Sequence, residues 1–223
     1  MNILSVYCHD NPKSLTASLK NIAVGELERQ GHTVAETDLY ASAFNPVASK
    51  LDFTYLSGGH FNYLLEQKNT SENGHLFSPD IMGEIEKVAH SDIIIIHMPI
   101  WWFGPPAILK GWFDKVFAMG VTWDAGKMFS SGLLKGKSIL LTATSGFPEN
   151  FYKKDGDLKM TIEEVLYPLQ NGLFSFSGLS VIEPFIVYNS LGLSAPEYEK
   201  AINDYHFKIT HLIDSPSYWR KND

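Results

Sequence analysis

The 223-residue sequence holds a single cysteine, Cys8, so no intrachain disulfide can staple it, and such a chain suits a reducing cytoplasm. An excess of basic residues is missing as well. Lys and Arg number 18 against 25 Asp and Glu, and a net charge of -7 works against a polyanion partner, which needs a basic face to displace counterions. The longest branched apolar run, Ile93 to Ile96, is closed off by Asp92 and His97 and cannot span a bilayer. The opening MNILSVYCHD lacks the basic start and long apolar stretch of a signal peptide, so the expectation is a soluble intracellular protein. Neither GxGxxG nor GxxxxGK[ST] occurs, which excludes the glycine-dependent dinucleotide and P-loop cradles. No GxSxG elbow is present. The eight histidines (His9, His32, His60, His75, His90, His97, His206, His211) form no close ligand pair with one another or with Cys8, which argues against a metal site. Cys8 and His9 are adjacent, and neighbours at a strand end point apart, so they do not read as a thiolate pair.

What the chain does have is strand and helix in alternation. NILSVY, TVAETDLY, IIIIHM, SILLTAT and LSVIEPFIVY read as five strands, and the third lacks any alternation of apolar and polar residues, as a central parallel strand buried on both faces requires. Between them lie helices: one from an N-cap at Ser14, with Leu15, Leu19, Ile22, Ala23 and Leu27 as its stripe and Gly31 as its left-handed end. Another opens at Ser78-Pro79 and faces Ile81, Ile85, Val88 and Ala89 inward. A third begins at Pro105-Pro106; on it Asp114 and Lys115 read as solvated. A helix from Thr161 to Phe176 is expected to kink at Pro168, and a last one runs from Pro196 to Ile213. Residues 45–74 lose periodicity and form a long excursion, of the length that is functional or disordered. With no repeat and no linker, residues 1–223 read as one α/β domain: a five-stranded parallel sheet, flavodoxin-like in its 2-1-3-4-5 order, with helices on both faces.

In such sheets ligands bind beyond the carboxyl ends of the strands at the switch in strand order. Three loops meet that condition. CHDNPKSLT enters a helix N-terminus, where free amides and the dipole attract an anion; His9, Lys13, Ser14 and Thr16 add donors, although Ser14 can equally be a plain cap. PIWWFG places large rings where the backbone turns outward. A flat, mostly apolar ring edged with hydrogen-bonding groups wants such a wall, and core or interface packing is the competing reading for Trp101 and Trp102. TSGFPENFY offers the amides of Thr144 to Phe147 and the Tyr152 phenol, a donor for a carbonyl oxygen that gains charge.

The run WFGPPAILKGWFDKVF resembles the hallmark segment of the NAD(P)H:quinone oxidoreductase family, which includes DT-diaphorase and bacterial reductases of the drug-modulator and potassium-efflux ancillary type. TDLYASAFNPVAS, GHLFSPDI and YPLQNGLFSFSGLSVIEPF extend the resemblance over most of the chain. It implies a flavodoxin-like homodimer with one flavin per subunit and a pocket at the dimer interface, which NAD(P)H and then a quinone or other small aromatic acceptor occupy in turn. By this resemblance His9, Ser14, Leu15 and Thr16 hold the flavin phosphates. Pro99, Ile100, Trp102 and Phe103 line the ring, and Thr144, Ser145, Gly146 and Phe147 present amides at its polar edge. Tyr152 stabilises the reduced flavin, and Trp123 covers the partner subunit's pocket beside Trp102 and Phe103. Asn62, in HFNY, matches the segment that reaches the adenine end, which implies FAD, with FMN the alternative. Where animal members carry a catalytic histidine this chain has Leu158, with Lys153 and Lys154 close by as other sources of charge. The chain also stops short of the DT-diaphorase C-terminal extension, which suggests the compact bacterial type. Alternatives on the same scaffold are an azo- or nitroreductase, a one-electron carrier, and an ancillary subunit of a membrane transporter that makes contact through the tail SPSYWRKND.

Overall fold

Ile93 to Ile96 share their four side chains evenly between two cores. In a computed structural model that describes residues 1–74 and 76–214, they lie in the central strand β3 (Ile93–Pro99), every residue of which is buried. Successive strand side chains point to opposite faces. Ile94 and Ile96 accordingly join one core with Leu4, Val6, Ile139 and Leu141, while Ile93 and Ile95 join the other with Ile3, Leu140 and Ile182. Full burial of each isoleucine contributes ~1.5–3 kcal/mol, so an uninterrupted apolar run suits only a strand covered twice.

β3 is flanked by β1 (Asn2–Tyr7) and β4 (Ser138–Thr144), with β2 (Thr33–Asp38) and β5 (Ser180–Val187) at the edges. The order is β2-β1-β3-β4-β5 and every pairing is parallel. This is the flavodoxin-like arrangement expected from the sequence. On one face α1 (Leu15–Arg29) and α6 (Ala195–Thr210) pack Leu19, Ala23 and Leu27 against Tyr205 and Ile209. The opposite face carries α3 (Pro79–His90), α4 (Ala107–Val116) and α5 (Ile162–Leu169), through Ile81, Ile85, Trp112, Phe113, Val165 and Leu166.

Several expectations need correction. Lys115 is buried rather than solvated: it is 1% exposed and its Nζ donates to Asp52 Oδ1 at 2.9 Å. Ala89 is exposed, because Glu84 takes the inward position, accepting from Trp112 Nε1 and Thr37 Oγ1. The second strand ends at Asp38, two residues early, where the carboxylate turns the chain by accepting from the amides of Tyr40 and Ala41. The excursion contains a helix, α2 (Tyr63–Glu72), capped by Asn62. The expected helix to Phe176 gives way after Leu169 to a π-helical stretch, Gln170–Ser175, just beyond Pro168, which has no N–H for the helical ladder. The last helix ends at Thr210 rather than Ile213. The tail on which a transporter contact was expected, residues 215–223, and His75 lie outside the described residues.

Candidate active site

The three loops expected to converge are cross-linked to one another. Thr16, in the first turn of α1, and Thr144, the last residue of β4, join their hydroxyls at 3.0 Å in the interior. The Ile100 amide, just past β3, donates to the Thr144 carbonyl at 2.8 Å. His9, just past β1, lies edge-on to Trp101 with ring centres 6.4 Å apart. Phe103 lies parallel to Phe151 at 6.5 Å and 11°. Loops after β1, β3 and β4 thus form one wall along the carboxyl edge of the sheet.

In the first loop the Ser14 hydroxyl caps α1 by accepting from the Ala17 amide at 3.1 Å. The capping reading of Ser14 is therefore realised, and the amides of Leu15 and Thr16 remain the first-turn donors with no partner among the described residues. The Thr16 hydroxyl, expected to add a donor for a phosphate, is instead committed to Thr144. His9 Nδ1 accepts the Asn11 amide at 3.0 Å, which leaves the ring proton on Nε2. Burial lowers the pKa of His9, so the ring is a neutral donor.

The second loop holds its aromatics out of the core. Trp102 is 96% exposed, and Trp101 and Phe103 are also exposed. This excludes core packing for all three. Trp102 (φ 46°) and Phe103 (φ 63°) both occupy the left-handed region without being glycine, at a cost of ~1–3 kcal/mol each. The surrounding bonds enforce that turn: Trp101 and Gly104 exchange amide–carbonyl bonds at 3.0 Å in both directions.

In the third loop the Ser145 amide donates to the Val187 carbonyl at 2.8 Å and the Phe147 amide to Ser145 Oγ at 3.0 Å. Three of the four expected edge amides are therefore used inside the chain, that of Thr144 in the ladder between β3 and β4, and Gly146 keeps a free N–H among the described residues. Tyr152 is buried, with its hydroxyl 2.8 Å from Ser145 Oγ. Beside it stands Tyr188, ring centres 5.8 Å apart, whose phenol is pushed up to about 12 by burial and by Glu149 and Glu163. Burial also pushes the Cys8 thiol up to about 12, so no thiolate forms near neutral pH. Of the two lysines near Leu158, Lys154 is tied to Glu164, whereas Lys153 lines an open cleft. Leu158 itself packs on the core.

Asn62 and Trp123 share no hydrogen bond or ring contact with the three loops among the described residues. Asn62 caps α2, its Oδ1 accepting from Leu65 at 3.2 Å. Trp123 packs edge-on against Phe176 at 5.3 Å and donates to the Phe117 carbonyl. Phe151 escaped the sequence reading, although its spacing of four from Phe147 in FPENF was a usable signal for a ring pair. Among the described residues no group of three His, Cys, Asp or Glu side chains gathers as metal ligands, and no helix is long and apolar enough to cross a membrane.

A family model described as having the flavodoxin-like fold matches residues 1–209. Human ribosyldihydronicotinamide dehydrogenase [quinone] is 43% identical over 188 residues, which cover 83% of this chain and 80% of that protein. The rat NAD(P)H dehydrogenase [quinone] 1 is 36% identical over 196 residues, 87% of this chain and 70% of the other. Among solved structures, a Klebsiella pneumoniae protein proposed to be a quinone reductase superposes with a TM-score of 0.89 at 29% identity, over 96% of this chain and 86% of that one.

Proposed function

This chain belongs to the family of flavodoxin-like fold alongside quinone-reducing enzymes, and we propose that it is a flavin-dependent NAD(P)H:quinone oxidoreductase working by a two-electron ping-pong exchange. When bound, the flavin accepts a hydride from the reduced nicotinamide and delivers it to the quinone, which occupies the same place in turn. The observation that carries the reading is the joining of three loops, through Thr16–Thr144, Ile100–Thr144 and Phe103–Phe151, into one wall that leaves large aromatic faces open.

The residues present fit such a cofactor. The uncapped amides of Leu15 and Thr16, with His9 Nε2 and the helix dipole behind them, would hold its phosphates. Pro99, Ile100, Trp102 and Phe103 would flank the ring. The Gly146 amide and the Tyr152 phenol would meet its polar edge, where negative charge accumulates; Ser145 fixes the orientation of that phenol in advance. Thr144, Ser145 and Phe147 hold the backbone of this edge in place through their internal bonds. Asn62 still has its amide donors after capping α2, and in FAD they would serve the adenine end. Two copies of the chain would complete the site, with Trp123 closing the partner's pocket over the acceptor.

Heat release of the cofactor and its mass should identify FAD. Purified protein should oxidise NAD(P)H only when a quinone such as menadione is added. Ribosyldihydronicotinamide belongs in the same assay, because it names the donor of a 43% identical relative. Colourless protein that takes up neither flavin, or no quinone-dependent oxidation of any of these donors, would refute the reading.

A further inference from the structure

Buried acids in this protein come with a base, with one exception. Four carboxylates are buried among the described residues: Glu26, Asp52, Glu66 and Glu84. Glu26 pairs with Arg29 at 2.7 Å, Asp52 with Lys115 at 2.9 Å and Glu84 with Lys87 at 2.6 Å. Glu66, 4% exposed, has no cation beside it among the described residues. Its oxygens accept from Ser57 alone, from the amide at 3.2 Å and from the hydroxyl. Lys68, the one basic residue of α2, turns instead to Glu72 and Asp124. An ionised group taken out of water is costly unless it is both hydrogen-bonded and paired, and Glu66 meets only the first condition.

That carboxylate borders a cavity of about 300 Å³. Small-molecule sites run from about 300 to 1,000 Å³, so only a small ligand fits. Glu66, Asn69, Thr70 and Asn73 line it from α2 at the spacing of one helix face, and Tyr55 and Ser57 close it from the excursion. Thr70 is a second, independent sign of a ligand. It is 2% exposed and lines the cavity, yet its hydroxyl has no hydrogen-bond partner among the described residues. The neighbouring side-chain amides leave acceptors rather than donors. Asn69 Nδ2 donates to Ser57 Oγ at 3.3 Å and Asn73 Nδ2 to the Asn69 carbonyl at 2.9 Å, so both Oδ1 atoms lack a donor among the described residues. One carboxylate with no second acid or histidine beside it is not a divalent-metal set. The Tyr55 ring in the lining suits an organic cation.

We infer that this cavity is a binding site for a small primary ammonium, whose charge answers Glu66 and whose N–H groups meet the Thr70 hydroxyl and the Asn69 oxygen. An ammonium head has three donors and no acceptor, the complement of a lining that is negative and rich in acceptors. The site belongs to α2 and the excursion, shares no residue with the three loops of the candidate active site, and stands whether or not the chain reduces quinones.

Thermal unfolding of the full chain as purified, at an ionic strength held constant with sodium chloride, reads binding as a saturable rise in Tm. Butylammonium chloride should produce that rise. Butanol, which lacks the charge, and tetramethylammonium, which has the charge but no N–H, should bind at least about tenfold more weakly. Glu66→Gln keeps an oxygen for the Ser57 amide and should weaken butylammonium by at least about tenfold; Thr70→Val removes only the hydroxyl and should weaken it about two- to tenfold. Glu72→Gln loses an acid on the same helix that lies outside the cavity, and should change the affinity less than about twofold. No rise, a rise that potassium chloride reproduces in place of the amine, or equal affinity for tetramethylammonium would overturn the site. So would a rise that survives undiminished in Glu66→Gln and Thr70→Val, or that falls equally in Glu72→Gln, since a chain of net charge -7 then answers cations in general. Should Glu66→Gln fail to fold, Thr70→Val and the ligand series still decide.

Discussion

Lys115 shows how far one side chain can depart from its place in a pattern. Its neighbour Asp114 is exposed and pairs with Lys110 at 2.5 Å, an i,i+4 surface contact of small worth. Lys115 turns the other way, beneath the excursion, where Asp52 also accepts from the Tyr63 hydroxyl at 2.7 Å and from the Ser49 amide at 2.9 Å. Removing one member of a buried pair leaves the other charge without compensation. Asp52→Ala should therefore cost ~3–5 kcal/mol in urea unfolding, while the double change Asp52→Leu with Lys115→Met should recover most of that loss. A double variant as unstable as the single one would contradict this account. The burial of Lys115 could not be seen in the sequence, because a Lys beside an Asp on an amphipathic helix looks the same whether or not an acid from a distant loop covers it. The exposure of Trp102 was legible for the opposite reason: three rings pressed into a Gly- and Pro-bounded turn have no periodic face on which to bury.

Elements were legible in proportion to how much local chemistry defines them. β1 and β4 fall where their apolar runs begin and end, and α1 starts at its Ser14 cap and finishes before Gly31, whose φ is 85°. α2 was missed because its apolar residues, Leu64 and Leu65, face outward and its buried positions are Glu66, Gln67 and Thr70, which reverses the usual pattern. α4 carries a constraint that only the tertiary structure reveals. A Cβ on Gly111 would sit 2.2 Å from the Pro46 carbonyl oxygen, since the excursion crosses the helix there. Gly111→Ala should accordingly destabilise by ~1–3 kcal/mol, despite alanine's better helix propensity, and thermal unfolding reads the sign directly.

At the seam of the sheet with α6, His97 Nε2 lies 2.9 Å from the Tyr205 hydroxyl, which also accepts from Thr142. Burial holds His97 down to about 3 from its ordinary 6.5. The unfolded chain therefore takes up a proton below pH 6.5 that the folded chain refuses until about pH 3. Stability that is complete above 6.5 drains as pH falls through that window, by up to ~1.4 kcal/mol per pH unit. Glu26, joined to Arg29, Gln30 and His206 where α1 meets α6, adds to the same trend at lower pH. The Arg29 hydrogen bond leads in holding it down to about 2, so its contribution is present above about 4.5 and is lost toward 2. His97→Gln should flatten the stability profile between pH 6.5 and 4.5 and leave the steeper acid limb; denaturant midpoints across that range test it.

For the whole molecule, the telling feature is how open the wall of the candidate site stands. Trp102 is almost fully open, and Trp123, the ring assigned to closing a pocket, stands with Phe176 and Phe129 away from the chain's own three loops. A second copy of the chain, closing each site with the other's Trp123, is the arrangement we propose, and it can be tested without a structure of the assembly. Sedimentation should give twice the 25.0 kDa chain mass. Trp123→Ala should keep its flavin yet turn over quinone poorly. Tyr152→Phe should lose on the order of 10²-fold in kcat through the missing edge donor. If the two residues serve one site from different chains, subunits unfolded together and reassembled from these two variants contain dimers with one intact site, since the Trp123→Ala chain brings Tyr152 and its partner brings the indole. Random pairing then restores roughly a quarter of wild-type turnover from two nearly inactive proteins. If Trp123 closes its own chain's pocket, no combination of the two variants regains activity.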